Sequence, residues 1–157
     1  MDPPSNLELL ISELKVDEGV RYEPYNDSLG IQTIGVGHNL QASPLPDVWS
    51  YPLTDDKVNQ LLTEDLQDVF TALNNNLQWW TDLSDVRQRV LCNMCFQLGI
   101  GGLLGFRNTL IFIRQGQYSQ AATGMLNSKW ADQTPARAQR LAKMMSTGVS
   151  QYPGEQG

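Results

Sequence analysis

Apolar positions along most of the chain recur at helical spacing. Leu7, Leu10, Ile11 and Leu14 follow Ser5-Asn6-Leu7-Glu8, which has the form of a capping box with Glu8 reaching back to Ser5. Gly19 is a natural stop in the left-handed conformation, so this helix ends on the adjacent acids Asp17 and Glu18. Thr54 caps a longer helix, over approximately 54–74, whose stripe is Val58, Leu61, Leu62, Leu66, Val69, Phe70 and Leu73. A polar link over 74–83 leads to a helix from about Ser84 to Leu98 with Val86, Val90, Leu91 and Met94 on its buried stripe. The glycine cluster Gly99 to Gly105 follows a helix rather than a strand, so it reads as a helix stop and not as a dinucleotide loop. Phe106 to Arg114 and Gln117 to Asn127 read as short helices, and Thr134-Pro135 opens the last one with Thr as cap. The tail from Gly148 is expected to be poorly ordered.

The helical pattern breaks in one region. Arg21 to Tyr25 and Ile31 to Val36 read as short strands around Asp27-Ser28-Leu29-Gly30, which fits a type I turn and makes the segment a hairpin. Pro24 then has to lie on an edge or at a bulge. Residues 39–53, with Pro44, Pro46 and Pro52, read as a loop. At 157 residues and 41% hydrophobic content the chain has enough core for one globular unit, with room for two lobes sharing a helix.

Charge and composition narrow the function. A net charge of −6 argues against a nucleic-acid binder, which needs a basic surface. No apolar run reaches membrane-spanning length, and Met-Asp-Pro-Pro-Ser lacks the form of a signal peptide, so neither stable membrane insertion nor self-export is expected. Cys92 and Cys95, three apart in an apolar helical stretch, are expected to be reduced and buried, and without a second pair they do not make a zinc site.

Four polar side chains between residues 17 and 38, Glu18, Asp27, Thr33 and His38, have a placement that folding alone does not explain, and Asp17 and Asp65 stand out beside them. Asp17 and Glu18 stack two carboxylates at the negative end of a helix dipole. That field favours the protonated form of Glu18, as a general acid requires. Asp65 falls within an apolar stripe and needs a partner. Thr33 is most simply a β-branched strand residue, yet its hydroxyl is placed to share a water with a carboxylate at the hairpin turn.

Glu18, eight residues, Asp27, five residues, Thr33, then Ile34-Gly35-x-Gly37-His38 resembles the catalytic segment of the phage-type lysozymes (endolysins) of the T-even phage kind, glycoside hydrolase family 24. Asn93-Met94-x-Phe96-Gln97-x-Gly99, Gly105-Phe106 and Ser128-x-Trp130-x-x-Gln133-Thr134-Pro135-x-Arg137-Ala138 match its later motifs in the same order, so the resemblance covers roughly residues 7 to 148. It implies an α+β, mainly helical, two-lobed fold: a small hairpin lobe over approximately 15–60, a connecting helix over 54–74, and a helical lobe of 1–14 plus 75–148.

The resemblance also implies a muramidase that hydrolyses the β-1,4 bond between N-acetylmuramic acid and N-acetylglucosamine in bacterial peptidoglycan, in bacterial cell lysis. Glu18 would be the acid, with Asp27 and Thr33 activating a water on the opposite face, an inverting mechanism that calls for no metal or cofactor. Asn39, Phe96, Gln97 and Thr109 become candidates for gripping sugar rings, although Asn39 stands where the family has an apolar residue and Gly124 where it has an Asn. Trp130 is expected in the core. Arg137 is implied to support Glu18, Arg140 to support Asp17, and His38 to pair with Asp65, which would raise the pKa of His38 and lower that of Asp65. The 39–53 loop is shorter than the family's and implies a more open rim. A monomer is expected, made in the host cytoplasm and delivered to the wall by a holin or a virion. Two competing readings are a lytic transglycosylase, which needs no activated water, and a non-catalytic glycan-binding or structural phage component. The presence of Asp27 with Thr33 opposes the first, and the intact set Glu18, Asp27, Thr33 and Arg137 opposes the second.

Overall fold

Local signals at the N-terminus set the first helix. The Ser5 hydroxyl accepts from the Glu8 amide at 3.1 Å and starts α1 (Asn6–Glu18). Glu8 answers through its side chain, taking the Ser5 hydroxyl proton at 3.3 Å rather than reaching back to the Ser5 amide. Gly19 ends the helix with φ 74° and ψ 172°, outside the left-handed helical region expected of it, and its amide closes on the Lys15 carbonyl. These features come from a computed structural model that describes residues 3–155. The chain divides into two compact units, one up to Asp68 and one from Val69, with the boundary inside α2 (Asp55–Asn76).

The first unit holds α1, the start of α2 and a three-stranded antiparallel sheet in the order β1 (Arg21–Asn26), β2 (Gln32–Gly35), β3 (His38–Asn39). The third strand extends the expected hairpin: Gly35 and Gly37 flank Val36 in a tight reversal that sets His38 opposite Ile34. β1 is an edge strand, and its pairing with β2 is irregular between Arg21 and Tyr25, so Pro24 lies at an interruption of an edge strand, as its missing amide requires. Residues 40–54 form neither helix nor strand. They are tied down by Leu53 N–H on the Tyr22 carbonyl (2.8 Å) and by the Lys57 ammonium over the Trp49 ring. Tyr22 also donates to Asp55 at 2.7 Å, and this bond, reinforced by the Asp55 charge, raises the pKa of its phenol. Thr54 caps α2 as expected, accepting from the Lys57 amide.

The second unit is helical: the end of α2, a 3-10 turn (Gln78–Asp82), α3 (Asp85–Leu104), α4 (Arg107–Arg114), α5 (Tyr118–Leu126), α6 (Lys129–Gln133) and α7 (Pro135–Thr147), with α7 packed on α3, α5 and α6. The expected polar link is thus largely helical, with the Trp80 indole donating to Asn74 and stacking on Phe70. α3 departs from the expected single stripe. Every position from Arg89 to Cys95 is buried while Val86 is only half-buried, because a helix with neighbours on all sides has no solvent face. Cys92 and Cys95 are free thiols; burial pushes Cys95 up to about 11 and Cys92 higher still, so both stay protonated and unreactive near neutrality.

Three further expectations are corrected. The glycine cluster bends α3 at Gly99 without ending it, and the helix resumes to Leu104. Thr134 does not cap α7 with its side chain; its hydroxyl donates to the Trp130 carbonyl, and Pro135 opens the helix alone. The segment after α7 is folded down, with Ser150 and Tyr152 buried, whereas Gln156 and Gly157 lie outside the described residues. Among the described residues no single helix is long and apolar enough to cross a membrane.

Gly99 holds φ 73° and ψ 164° with open space where a Cβ would stand, so a side chain there meets conformational strain and no clash. Gly99→Ala is expected to cost about 1–3 kcal/mol in urea unfolding with an unchanged m-value. A neutral substitution would show that the bend is not fixed by that backbone conformation.

Candidate active site

The first unit gathers most of the candidate residues on a short stretch of chain. Glu18, the last residue of α1, is half-buried and packs against bare backbone: a Cβ at Gly37 would stand 3.2 Å from its Oε2. Gly37 also has φ 65°, so space and backbone conformation both select glycine there. Asp17, beside it, is likewise half-buried.

Asp27 begins the turn between β1 and β2. The expected turn bond forms between the Gly30 amide and the Asp27 carbonyl at 3.0 Å. The Asp27 carboxylate meanwhile accepts two amides on one oxygen, Oδ1, from Leu29 at 2.8 Å and Ile31 at 2.9 Å. One oxygen thus fixes the side chain to the turn, and Oδ2 takes no hydrogen bond among the described residues.

Thr33 is buried on β2, directly opposite Tyr25 on β1. Its hydroxyl proton goes to the Ile31 carbonyl at 2.9 Å, so toward any water it can act only as acceptor. Tyr25 registers both acids. Burial raises the pKa of its phenol, as do the charges of Glu18 and Asp27, while Arg21, whose guanidinium lies 4.8 Å from the ring centroid, lowers it. Both carboxylates therefore lie within electrostatic reach of one tyrosine.

His38 and Asp65 meet as expected. Nδ1 of His38 is 2.7 Å from Asp65 Oδ2, and Nε2 is 2.7 Å from the Ser43 carbonyl oxygen. Both ring nitrogens face acceptors, an arrangement only the doubly protonated imidazolium satisfies. The hydrogen bond to Asp65 raises the pKa of His38, burial opposes it, and the Ser43 carbonyl adds to the rise. The pair links β3 to α2 and to the 40–54 loop. Asn39 is exposed, and its side-chain oxygen accepts from the Gln41 and Ala42 amides, so that oxygen serves the turn after β3.

In the second unit, a cleft of about 640 Å³ is lined by Phe106, Thr109, Gly124 and Trp130, with Arg107 and Lys129 also on its walls. Ser128 caps α6 by accepting from the Ala131 amide and so sets Trp130 in place. The indole is buried, as its core assignment expects, meets Phe106 edge-on at 5.9 Å and donates to Gln97 Oε1 at 2.8 Å. Phe96 and Gln97 are half-buried on α3. A Cβ at position 124 would fall 2.5 Å from Thr109 Oγ1. A side chain at 124 would thus require the Thr109 hydroxyl to shift from the place it holds beside Gly124. Arg137 is buried and gives Nε and Nη2 to Asn93 Oδ1 at 3.0 and 2.7 Å, whereas Arg140 lies 5.3 Å from the centroid of the Tyr152 ring.

Sequence reasoning missed three participants: Gly37 as the wall against Glu18, Asn93 as the acceptor for Arg137, and Glu13, a fully buried carboxylate on α1. Asn93 was within a recognised motif, but nothing in its spacing distinguishes a buried polar hub from a stripe neighbour. Among the described residues no group of three or more His, Cys, Asp or Glu is placed to hold a metal ion.

The ion pair carries a pH signature. A histidine whose pKa rises on folding contributes stability that is complete below its unfolded value of about 6.5 and is lost as pH climbs through the folded value. His38→Asn is expected to cost about 3 kcal/mol near pH 5.5 and clearly less near pH 9, read from urea unfolding at each pH. An equal cost at both pH values would contradict the charged pair.

Comparison with known proteins identifies the family of the chain. The chain is 30% identical to a probable T4-type lysozyme 1 of Dictyostelium discoideum, over 87% of this chain and 92% of that protein. It is 33% identical to the endolysin of Salmonella phage P22, over 80% of this chain and 84% of the endolysin. A peptidoglycan hydrolase, gp36 of Pseudomonas phage phiKMV, is 31% identical over 85% of this chain but only 15% of its own length. The phage lysozyme family matches residues 15–145, which include Glu18, Asp27, Thr33, the cleft of the second unit and Arg137. The chain belongs to the phage lysozyme family and is a glycoside hydrolase.

Proposed function

We propose that this protein is a muramidase, hydrolysing the β-1,4 bond between N-acetylmuramic acid and N-acetylglucosamine in bacterial peptidoglycan with inversion. The names of the related endolysin and peptidoglycan hydrolase support the wall as substrate. The observation that carries the chemistry is the division of Asp27 into one anchored and one available oxygen. A base that positions water must be fixed in space and still keep a lone pair, and this arrangement supplies both.

Glu18 is the acid. It protonates the leaving glycosidic oxygen, and the wall at Gly37 limits where its carboxyl can point. Asp27 Oδ2 takes a proton from a water on the opposite face of the sugar, and Thr33, its own proton spent on Ile31, accepts the second water hydrogen. A water between sugar and base gives inversion. His38 with Asp65 serves the fold. Thr109, Phe96, Gln97 and Asn39 contact glycan. Thr109 takes over polar contact where Gly124 offers no side chain, and Gln97, its oxygen held by Trp130, contributes its amide N–H groups.

The stereochemistry tests the assignment. Proton NMR of a glycan substrate at early times is expected to show the α-anomer as first product, and a β-anomer first would exclude the inverting scheme. Asp27→Asn keeps the oxygen that anchors the turn and removes the base, so turnover is expected to fall about 10²–10⁴-fold with the thermal midpoint nearly unchanged. Retention of wild-type turnover would remove Asp27 from the mechanism.

A further inference from the structure

The cleft of the second unit carries charge that the scheme above does not use. Arg107 and Lys129 both stand on its walls, and among the described residues no acid does. The chain has 17 Asp and Glu against 11 Lys and Arg, so an acid-free wall with two cations runs against its composition. Both cations are exposed, and neither has an ion pair among the described residues.

The start of α4 lies in the same cleft. The helix begins after Phe106 with no side-chain cap, so the first-turn amides of Arg107, Asn108 and Thr109 have no carbonyl partner within it. Such amides, at the positive end of the helix dipole, favour an anion. A separate observation points the same way. Thr109 is only 6% exposed, yet its hydroxyl makes no hydrogen bond among the described residues. It lines the cleft beside the bare backbone of Gly124. A hydroxyl enclosed this far ordinarily has a partner, and a ligand oxygen in the cleft would supply one.

The size of the cleft says what carries the anion. A volume of about 640 Å³ is far more than one ion fills, and Phe106 and Trp130, meeting edge-on, add an apolar wall. The occupant that fits is an oxyanion on an organic chain.

We propose that this cleft is an oxyanion subsite. Arg107, the first amides of α4 and the Thr109 hydroxyl hold a carboxylate or phosphate group of a polymer, and Lys129 adds its charge. The subsite gives an acidic protein a local hold on an anionic wall. That the polymer is the wall rests on the reading above, whereas binding at the subsite does not depend on turnover.

The test is amide NMR of the full chain, at fixed pH and with ionic strength matched by sodium chloride. The probes are inorganic phosphate, glycerol phosphate, the acidic dipeptide Ala-Glu and a neutral N-acetylglucosamine tetramer. Saturable shifts are expected at Arg107, Asn108 and Thr109 with the organic anions, at a dissociation constant of about 1 mM. Arg107→Gln, at an exposed position, is expected to weaken them about tenfold. Thr109→Val, which keeps the shape and removes the hydroxyl, is expected to weaken them about threefold. Tighter binding of glycerol phosphate assigns the group as phosphate, and tighter binding of Ala-Glu assigns it as carboxylate. Equal shifts with the neutral tetramer, or an affinity unchanged in Arg107→Gln, overturn the proposal. Binding of inorganic phosphate with neither organic anion also overturns it and leaves an adventitious ion only. Intact anion binding in a chain that fails to clear cell walls would overturn the muramidase reading and leave the subsite standing.

Discussion

The carboxylate of Glu18 lies against backbone that carries no side chain, and the rest of the first unit depends on that approach. Position 37 must be glycine, since a Cβ would stand 3.2 Å from Oε2 and the backbone holds φ 65°. A glycine does not fix itself; its neighbour His38 does, through Asp65 on α2 and the Ser43 carbonyl. The ion pair thus holds in place the backbone that Glu18 packs against. Breaking it would disturb the surroundings of Glu18 as well as the fold, because a buried charge left without its partner drives local rearrangement.

The two acids of the first unit are treated differently by their surroundings. Glu18 sits half-buried at the end of α1 against the Gly37 backbone. Asp27 is held to its turn by two amides on one carboxylate oxygen. The second unit builds its polar sites by another route, setting single polar groups inside apolar packing and satisfying each from a distant segment. Gln97 takes the Trp130 indole, Asn93 takes Arg137, and Thr109 fills the space above Gly124.

Much of this was legible in the sequence where the signal is local. The cap at Ser5, the stop at Gly19, the turn at Asp27 and the awkward Pro24 are each readable from a few neighbouring residues, and the acids, Thr33 and His38 fall within one matching motif. Failures came where a residue answers to something far along the chain. The buried run in α3 has no stripe because its neighbours surround it, Tyr152 folds back to a residue 59 positions earlier, and the glycines after Leu98 bend a helix that distant packing continues. β3 escaped notice because a two-residue strand has no period to detect.

The most direct measurement is clearing of outer-membrane-permeabilised bacterial cells by the wild type and by Glu18→Gln, both confirmed folded by their thermal midpoints. Glutamine keeps the shape of the side chain beside Gly37 and cannot give up a proton. Clearing by the wild type, with loss of about 10³-fold or more in the variant, is the result expected of a general acid. Equal clearing by the two proteins would contradict the assignment of Glu18 and with it the account of how the first unit is built.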